Sequence, residues 1–256
     1  MRTVTKVDAL EAAKKEWYER LTEFMVGLIN LKDLKIVLEA GCGSGRLTLP
    51  LMAKLDRRCK IVAYDFSAGP YKGDLEILKK AVVAEKIENE IEFVKGDVRD
   101  MKAIAEETVD LIVSNELFCD LEEAGLKQAL KEFYRILKHG GQMVHAELSP
   151  VAENEAQRLL IEANLYYSLE TMLPEGAYWF SPTVDDVAAL MHKIGFRDIQ
   201  VRFFETDLRL VYEVAVEQLR QWRIDERFVK KYEKDLREYG IEFPLEHVIF
   251  CEKVGL

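Results

Sequence analysis

Val37-Leu38-Glu39-Ala40-Gly41-Cys42-Gly43-Ser44-Gly45-Arg46 is the stretch on which the fold turns. An apolar run gives way to glycine at every second position. A short run that is apolar almost throughout suits a strand covered on both faces. Glycine reaches left-handed backbone conformations without steric cost and lets a ligand approach bare N–H groups. Residues 47–55 are spaced as a helix, and a helix N-terminus leaves its first amides unpaired. The unit is therefore strand, glycine loop, helix. A phosphate-binding loop of the Walker kind ends in Gly-Lys-Ser/Thr, whereas Gly45 is followed by Arg46-Leu47. The dinucleotide fingerprint asks for glycine three residues after the second one, and Arg46 stands there.

Outward from that unit, short apolar runs alternate with helical spacing. Residues 60–65, 91–95, 109–114, 142–147, 198–204 and 247–252 read as further strands. Residues 9–30 read as a helix, with Trp17, Leu21, Phe24 and Leu28 at three- and four-residue steps, and 73–85 as another. Leu126, Ala129, Leu130, Phe133, Ile136 and Leu137 line one face of a helix that Gly140-Gly141 is expected to end. Thr183 with Asp186 has the spacing of a capping box, and Gly195 closes that helix. Strands alternating with helices predict an α/β, doubly wound fold on a mostly parallel sheet. Two stretches break the alternation. Residues 151–180 hold Leu159, Leu160, Tyr166, Tyr167, Leu169 and Trp179 at helical spacing; 207–245 read as two helices. The expected organisation is an N-terminal helical cap over 1–34 and a main domain over 35–256 carrying those two insertions.

Composition narrows the function. Of 256 residues 49% are hydrophobic and 32% charged, as in a globular protein. Asp+Glu 46 against Lys+Arg 36 leaves a formal charge of −10, which repels a phosphate backbone and disfavours nucleic acid as a partner. Cys42, Cys59, Cys119 and Cys251 form no CxxC pair, so neither a disulfide framework nor a metal site is expected. With no export signal and no run long enough to span a membrane, the expected location is the cytoplasm.

Glu39-x-Gly41-x-Gly43-x-Gly45 resembles motif I of the class I S-adenosylmethionine-dependent methyltransferases. Three later strand ends agree with that resemblance. Asp65 closes the second strand, where the family's acid accepts from both ribose hydroxyls, and Phe66 is placed to stack on adenine. Asp97-Val98 follows the third strand, with Asp97 resembling the acid that accepts from the adenine amine. Asn115 follows the fourth, in the family's active-site loop. The resemblance thus implies a cofactor site of Glu39, Gly41, Cys42, Gly43, Asp65, Phe66, Asp97, Val98 and Asn115. It also implies a seven-stranded sheet of order 3-2-1-4-5-7-6 with strand seven antiparallel. S-adenosylmethionine is the implied cofactor and S-adenosylhomocysteine the product.

The acceptor side is less specified. A base is needed only where the acceptor carries a proton when it reacts. Glu116 after the fourth strand, and His145 and Glu147 on the fifth, are the catalytic candidates; Trp17 and Tyr18 are placed to close the cofactor side. His145-Ala-Glu-Leu-Ser-Pro150 and Phe180-Ser-Pro-Thr look similar to the small-molecule branch, including ubiquinone- and menaquinone-biosynthesis methyltransferases. The Asn-Pro-Pro-aromatic loop of amino-directed nucleic-acid enzymes is absent, the chain reading Ser114-Asn115-Glu116-Leu117. The expected function is methyl transfer to a small molecule. Alternatives are a protein or RNA methyltransferase, a non-catalytic S-adenosylmethionine-binding regulator, and a nicotinamide oxidoreductase. The acceptor and the oligomeric state are not legible in the sequence.

Overall fold

The computed structural model describes residues 1–55, 59–68, 71–166 and 182–255. Tyr167, Leu169 and Trp179, read above as part of the 151–180 insertion, lie outside them. A short strand β1 (Arg2–Val4) and the long helix α1 (Leu10–Val26) precede the main alternation. It runs β2 (Ile36–Ala40), α2 (Thr48–Lys54), β3 (Lys60–Asp65), α3 (Asp74–Glu85), β4 (Ile91–Lys95) and β5 (Val109–Asn115). Then come α4 (Glu123–Ile136), β6 (Leu137–Leu148), α5 (Glu155–Ala163), α6 (Val184–Ile194) and β7 (Arg197–Phe204). The chain closes through β8 (Leu208–Leu210), α7 (Tyr212–Gln221), α8 (Glu226–Lys231), α9 (Glu233–Tyr239), β9 (Ile241–Glu242) and β10 (Glu246–Glu252).

The main sheet has the order β4-β3-β2-β5-β6-β10-β7, and β10 lies antiparallel to both of its neighbours. This is the order and strand direction that the motif resemblance implied. Both faces are covered, which is why the strands read as unbroken apolar runs. On one face Trp17, Leu21, Met25, Leu51 and Leu78 pack with Val37, Ile61, Leu111 and Val113. On the other Leu130, Phe133, Met191 and Phe196 pack with Leu38, Tyr64, Ile112 and Met143. Successive residues of β2 thus serve opposite cores, as the two-residue period of a strand requires. The parallel strands β2, β3, β4, β5 and β6 point their carboxyl ends the same way, and the order reverses between β2 and β5.

Two expectations are corrected. Helix α4 stops at Ile136, and Gly140-Gly141 belong to β6 rather than to a helix cap. Ile136 and Leu137 are both fully buried, so the chain passes straight from helix into strand, Leu137 pairing with Val109. The glycines then take up a register shift in the sheet, with Gly140 at φ +76 and its amide donating to Lys253 O. Residues 207–245, read as two helices, contain three, flanked by β8 and β9. These strands pair with β1 in a second, three-stranded sheet, β1 parallel to β8 and β8 antiparallel to β9. The Thr183 cap holds as read: its hydroxyl accepts from Asp186 N, and Gly195 closes α6. Leu159, Leu160, Leu210, Val214, Leu219 and Phe228 join the same core as α1. The additions and the N-terminal helix therefore form one layer on one face of the sheet.

Candidate active site

The glycine loop after β2 carries left-handed backbone at Gly41 (φ +75), Gly43 (φ +48) and Gly45 (φ +91). A Cβ on Gly45 would stand 2.3 Å from Leu78 Cδ1, so close packing against α3 excludes a side chain there. The loop is tied to the neighbouring strand: Gly41 N and Cys42 N both donate to Tyr64 O, at 2.8 and 3.2 Å. Gly43 N donates to Asp65 Oδ2 at 2.8 Å, and Ser67 N to Asp65 Oδ1 at 2.6 Å. An ionised carboxylate has about four acceptor positions, so Asp65 braces the loop and keeps capacity for further donors. Beside it Phe66 is 50% exposed, an open ring just past the carboxyl end of β3. Burial pushes the Cys42 thiol up, and Glu39 and Asp65 push it further, so it is a neutral side chain.

Glu39 is 2% exposed, and its Oε2 has no hydrogen-bond partner. Burial pushes its carboxyl up to about 8, and the charge of Asp65 adds to the shift. A buried polar atom without a partner is costly unless a ligand satisfies it. Next to it, a Cβ on Gly43 would meet nothing nearer than Asp74 Oδ2 at 4.0 Å, so the loop bounds an open cradle. Orphaned acid, bare backbone and the Asp65 carboxylate fit a nucleoside whose other end is cationic. At the end of β4, Asp97 is gripped by Arg99, whose Nη2 donates to Oδ2 at 2.7 Å and whose Nε lies 3.0 Å from both oxygens. Burial works against ionisation of Asp97, but those bonds hold its carboxyl below the usual range. Val98 is buried in the adjoining core.

Across the switch point, the ends of β5, β6 and β10 bring together a second set of acids. Asn115 Nδ2 donates to Glu246 Oε2 at 2.9 Å, and Trp17 Nε1 on α1 donates to Glu246 Oε1 at 2.8 Å. Glu246 is fully buried, and burial pushes its carboxyl up to about 8. Glu116 adopts φ +48, a conformation that costs a non-glycine residue about 1–3 kcal/mol and persists where the surroundings enforce it. Its amide donates to Ala146 O and its Oε1 accepts from Leu148 N at 2.6 Å. Burial, then Glu147 and Glu246, push its carboxyl well up. Asp120, hydrogen-bonded by Tyr71 Oη, is pushed up to about 7 by burial.

Glu147 Oε2 accepts from Phe118 N at 3.0 Å and Cys119 N at 3.3 Å, and lies 3.1 Å from His145 Nε2. His145 is 1% exposed beneath the stacked ring of Phe118, 3.5 Å between centroids. A small cavity beside them is lined by Glu147, Phe118, Val184, Val187 and His247. Ligand atoms of Glu116, Cys119 and Glu147 come within 4.8 Å of one another. Burial holds the Cys119 thiol protonated, with Glu147 adding to the shift; a neutral thiol between carboxyls donates a hydrogen bond before it ligates a metal.

The structure thus gathers Glu39, Gly41, Cys42, Gly43, Asp65 and Phe66 at one side of the switch point. Asp97 and Val98 lie at the next strand end, and Asn115, Glu116 and Glu147 opposite. His145 lies under that opposite side. Sequence reasoning missed Glu246, Asp120 and Ser114. Glu246 carried one signal, an acid at the entry to an otherwise apolar strand. Trp17, expected on the cofactor side with Tyr18, is instead bonded to Glu246 on the opposite side; its ring stacks on Tyr18 at 5.1 Å, while Arg46 of the loop lies over Tyr18 and pairs with Glu11 of α1.

Comparison with known proteins agrees with this geometry. Residues 37–141 match the family described as a methyltransferase domain. Carboxy-S-adenosyl-L-methionine synthase of Shewanella sediminis is 27% identical over 178 residues, 65% of this chain and 70% of that protein. Among solved structures, a SAM-dependent methyltransferase from Archaeoglobus fulgidus superposes with a TM-score of 0.56 at 18% identity, covering 92% of this chain and 94% of that one. Phosphoethanolamine N-methyltransferase 2 of Haemonchus contortus, bound to phosphomonomethylethanolamine and S-adenosylhomocysteine, gives 0.61 at 12% identity. That alignment covers 92% of this chain and 53% of the other.

Proposed function

We propose that the chain is an S-adenosylmethionine-dependent methyltransferase of the class I fold and that it methylates a small molecule held between α1, the additions and the ends of β5 and β6. The carrying observation is the closed acidic site: Trp17 of α1 is hydrogen-bonded to Glu246, which is itself bonded to Asn115 at the end of β5. Helix α1, which runs along the sheet face, therefore brings its first half to the strand ends and narrows the entrance to a small acceptor there. When bound, S-adenosylmethionine supplies an electrophilic methyl group on a sulfonium. Glu39, the glycine loop, Asp65 with Phe66, and Asp97 with Val98 hold the cofactor. Asn115, Glu116 and Asp120 border the acceptor, and Glu147, 14% exposed at the end of β6, takes its proton where one must leave. Low-dielectric surroundings and fixed orientation supply the remaining rate enhancement.

The likeness to a carboxy-S-adenosyl-L-methionine synthase supports a second reading, in which the cofactor itself is modified. Charge favours the first. Among the described residues none of Glu116, Asp120, Glu147 and Glu246 is ion-paired with Lys or Arg. With no cation at hand, the site gives an added carboxylate nothing to pair with.

Calorimetric titration of the dialysed protein with S-adenosylhomocysteine, and with NADH for comparison, tests the cofactor. Methyl-labelled cofactor, incubated with the small-molecule and macromolecular fractions of a cell extract, tests the acceptor. Label in the small-molecule fraction is the expected result. Label in protein or RNA, or an acidic product of the cofactor itself, overturns the reading.

A further inference from the structure

We infer that Ser114, acting through His145, is a positioning residue that keeps Glu147 a pure hydrogen-bond acceptor at the acceptor end of the site. The inference rests on the reading of Glu147 as the proton acceptor. Ser114 on β5 and His145 on β6 sit side by side in the parallel register, their side chains on the sheet face away from α1. Ser114 Oγ lies 2.9 Å from His145 Nδ1, and His145 Nε2 lies 3.1 Å from Glu147 Oε2. Ser114 is 0% exposed, so the first two members of the chain are sealed from water.

The direction of every hydrogen in this chain follows from its two ends. Glu147 Oε2 faces the amides of Phe118 and Cys119, which can only donate. A proton on that oxygen would oppose them, so Oε2 accepts and Nε2 must bring the third hydrogen. At the far end, the Ser114 hydroxyl has a single hydrogen-bond partner among the described residues, Nδ1 of His145. Were Nδ1 protonated, the serine hydrogen would be buried with nowhere to go. Ser114 therefore donates to Nδ1, and the ring is neutral with its hydrogen on Nε2. An imidazolium would satisfy Glu147 but strand the serine; an Nδ1–H ring would strand both.

The surrounding charges make this arrangement a test rather than a default. Glu147 from β6 faces the ring, with Glu116, Cys119 and Asp120 beyond it in the loop after β5. His247 of β10 lies across the cavity, while α6 contributes only Val184 and Val187 to its wall. The buried serine, and the Phe118 ring that shields His145 from water, are what oppose an imidazolium.

Two-dimensional proton–nitrogen spectra of the full chain labelled with 15N-histidine read the ring directly. His145 is assigned by the signal lost in His145→Asn. The expected result is a ring with its hydrogen on Nε2 and a bare Nδ1 that accepts. Ser114→Ala is expected to release that lock, giving a ring no longer fixed in the one tautomer, and Ser114→Thr to restore it. An imidazolium or an Nδ1–H ring in the unaltered protein overturns the inference, as does a Ser114→Ala spectrum identical to the original. The unaltered protein suffices for the first arm if Ser114→Ala fails to fold. Failure of the underlying reading looks different: full methyl transfer by Glu147→Gln would remove the base while leaving the ring spectrum of the original protein as described.

Discussion

Asp65 does two jobs with one carboxylate. It accepts from Gly43 N and Ser67 N, so it shapes the glycine loop before any ligand arrives, and in the proposed reading it also accepts from a ribose. Asp65→Ala is expected to lower affinity for S-adenosylhomocysteine by about 1–3 kcal/mol, the cost of losing charge-assisted hydrogen bonds and releasing the loop. Titration calorimetry checks it, and unchanged affinity would mean that the nucleoside lies elsewhere. Asp65 was legible because a family motif and a strand end coincide on it. Ser114 was not: a serine inside an apolar strand looks like a tolerated small residue, and its value appears only when the parallel register sets it against His145. Asp97 shows the reverse case. Its position was readable, but the Arg99 fork that now occupies both its oxygens was not.

Elements depend on such pairs as well. Helix α1 reaches the strand ends through Trp17, whose indole donates to a carboxylate sealed from water. Replacing Trp17 by Phe keeps most of the apolar surface but leaves Glu246 with Asn115 as its one remaining side-chain donor among the described residues. Loss of a bond to a buried acid costs about 1–3 kcal/mol, so Trp17→Phe is expected to lower the unfolding free energy by that order in denaturant titration. An unchanged midpoint would show that α1 is held by packing alone. The long periodic helices and apolar strands were visible because their repeat runs over several turns or residues. The second sheet was not, since β1, β8 and β9 span two or three residues each, too few to show a period. Gly140-Gly141 misled for a related reason: a glycine pair after a helical stripe signals a cap, and only the burial of Leu137 reveals a strand already begun.

At the scale of the whole molecule, the acids at the strand ends make stability depend on pH in an unusual direction. Glu39 and Glu246 are pushed up to about 8 and Asp120 to about 7, mainly by burial. Unfolded carboxyls titrate near about 4. Between those values the folded chain holds more protons than the unfolded one, so raising the pH favours unfolding. Stability from these groups is full below about pH 4 and is lost progressively as the pH climbs toward about 8. Asp97, Asp110 and Glu132 work the other way. Hydrogen bonds from Arg99, Lys138 and Arg135 help draw them below the usual range, so their contribution is lost as the solution becomes more acid than about pH 4. The ligand-free protein is therefore expected to be most stable in mildly acid solution and to weaken from about pH 5 to about pH 8. Denaturant titrations across that range check it, with Glu39→Gln expected to flatten the decline by removing one of the titrating groups. A ligand carrying a sulfonium compensates the ionised acids as they appear. Its stabilising effect relative to neutral-sulfur S-adenosylhomocysteine should consequently grow over the same interval, and a constant difference would mean that these carboxyls do not face the sulfur.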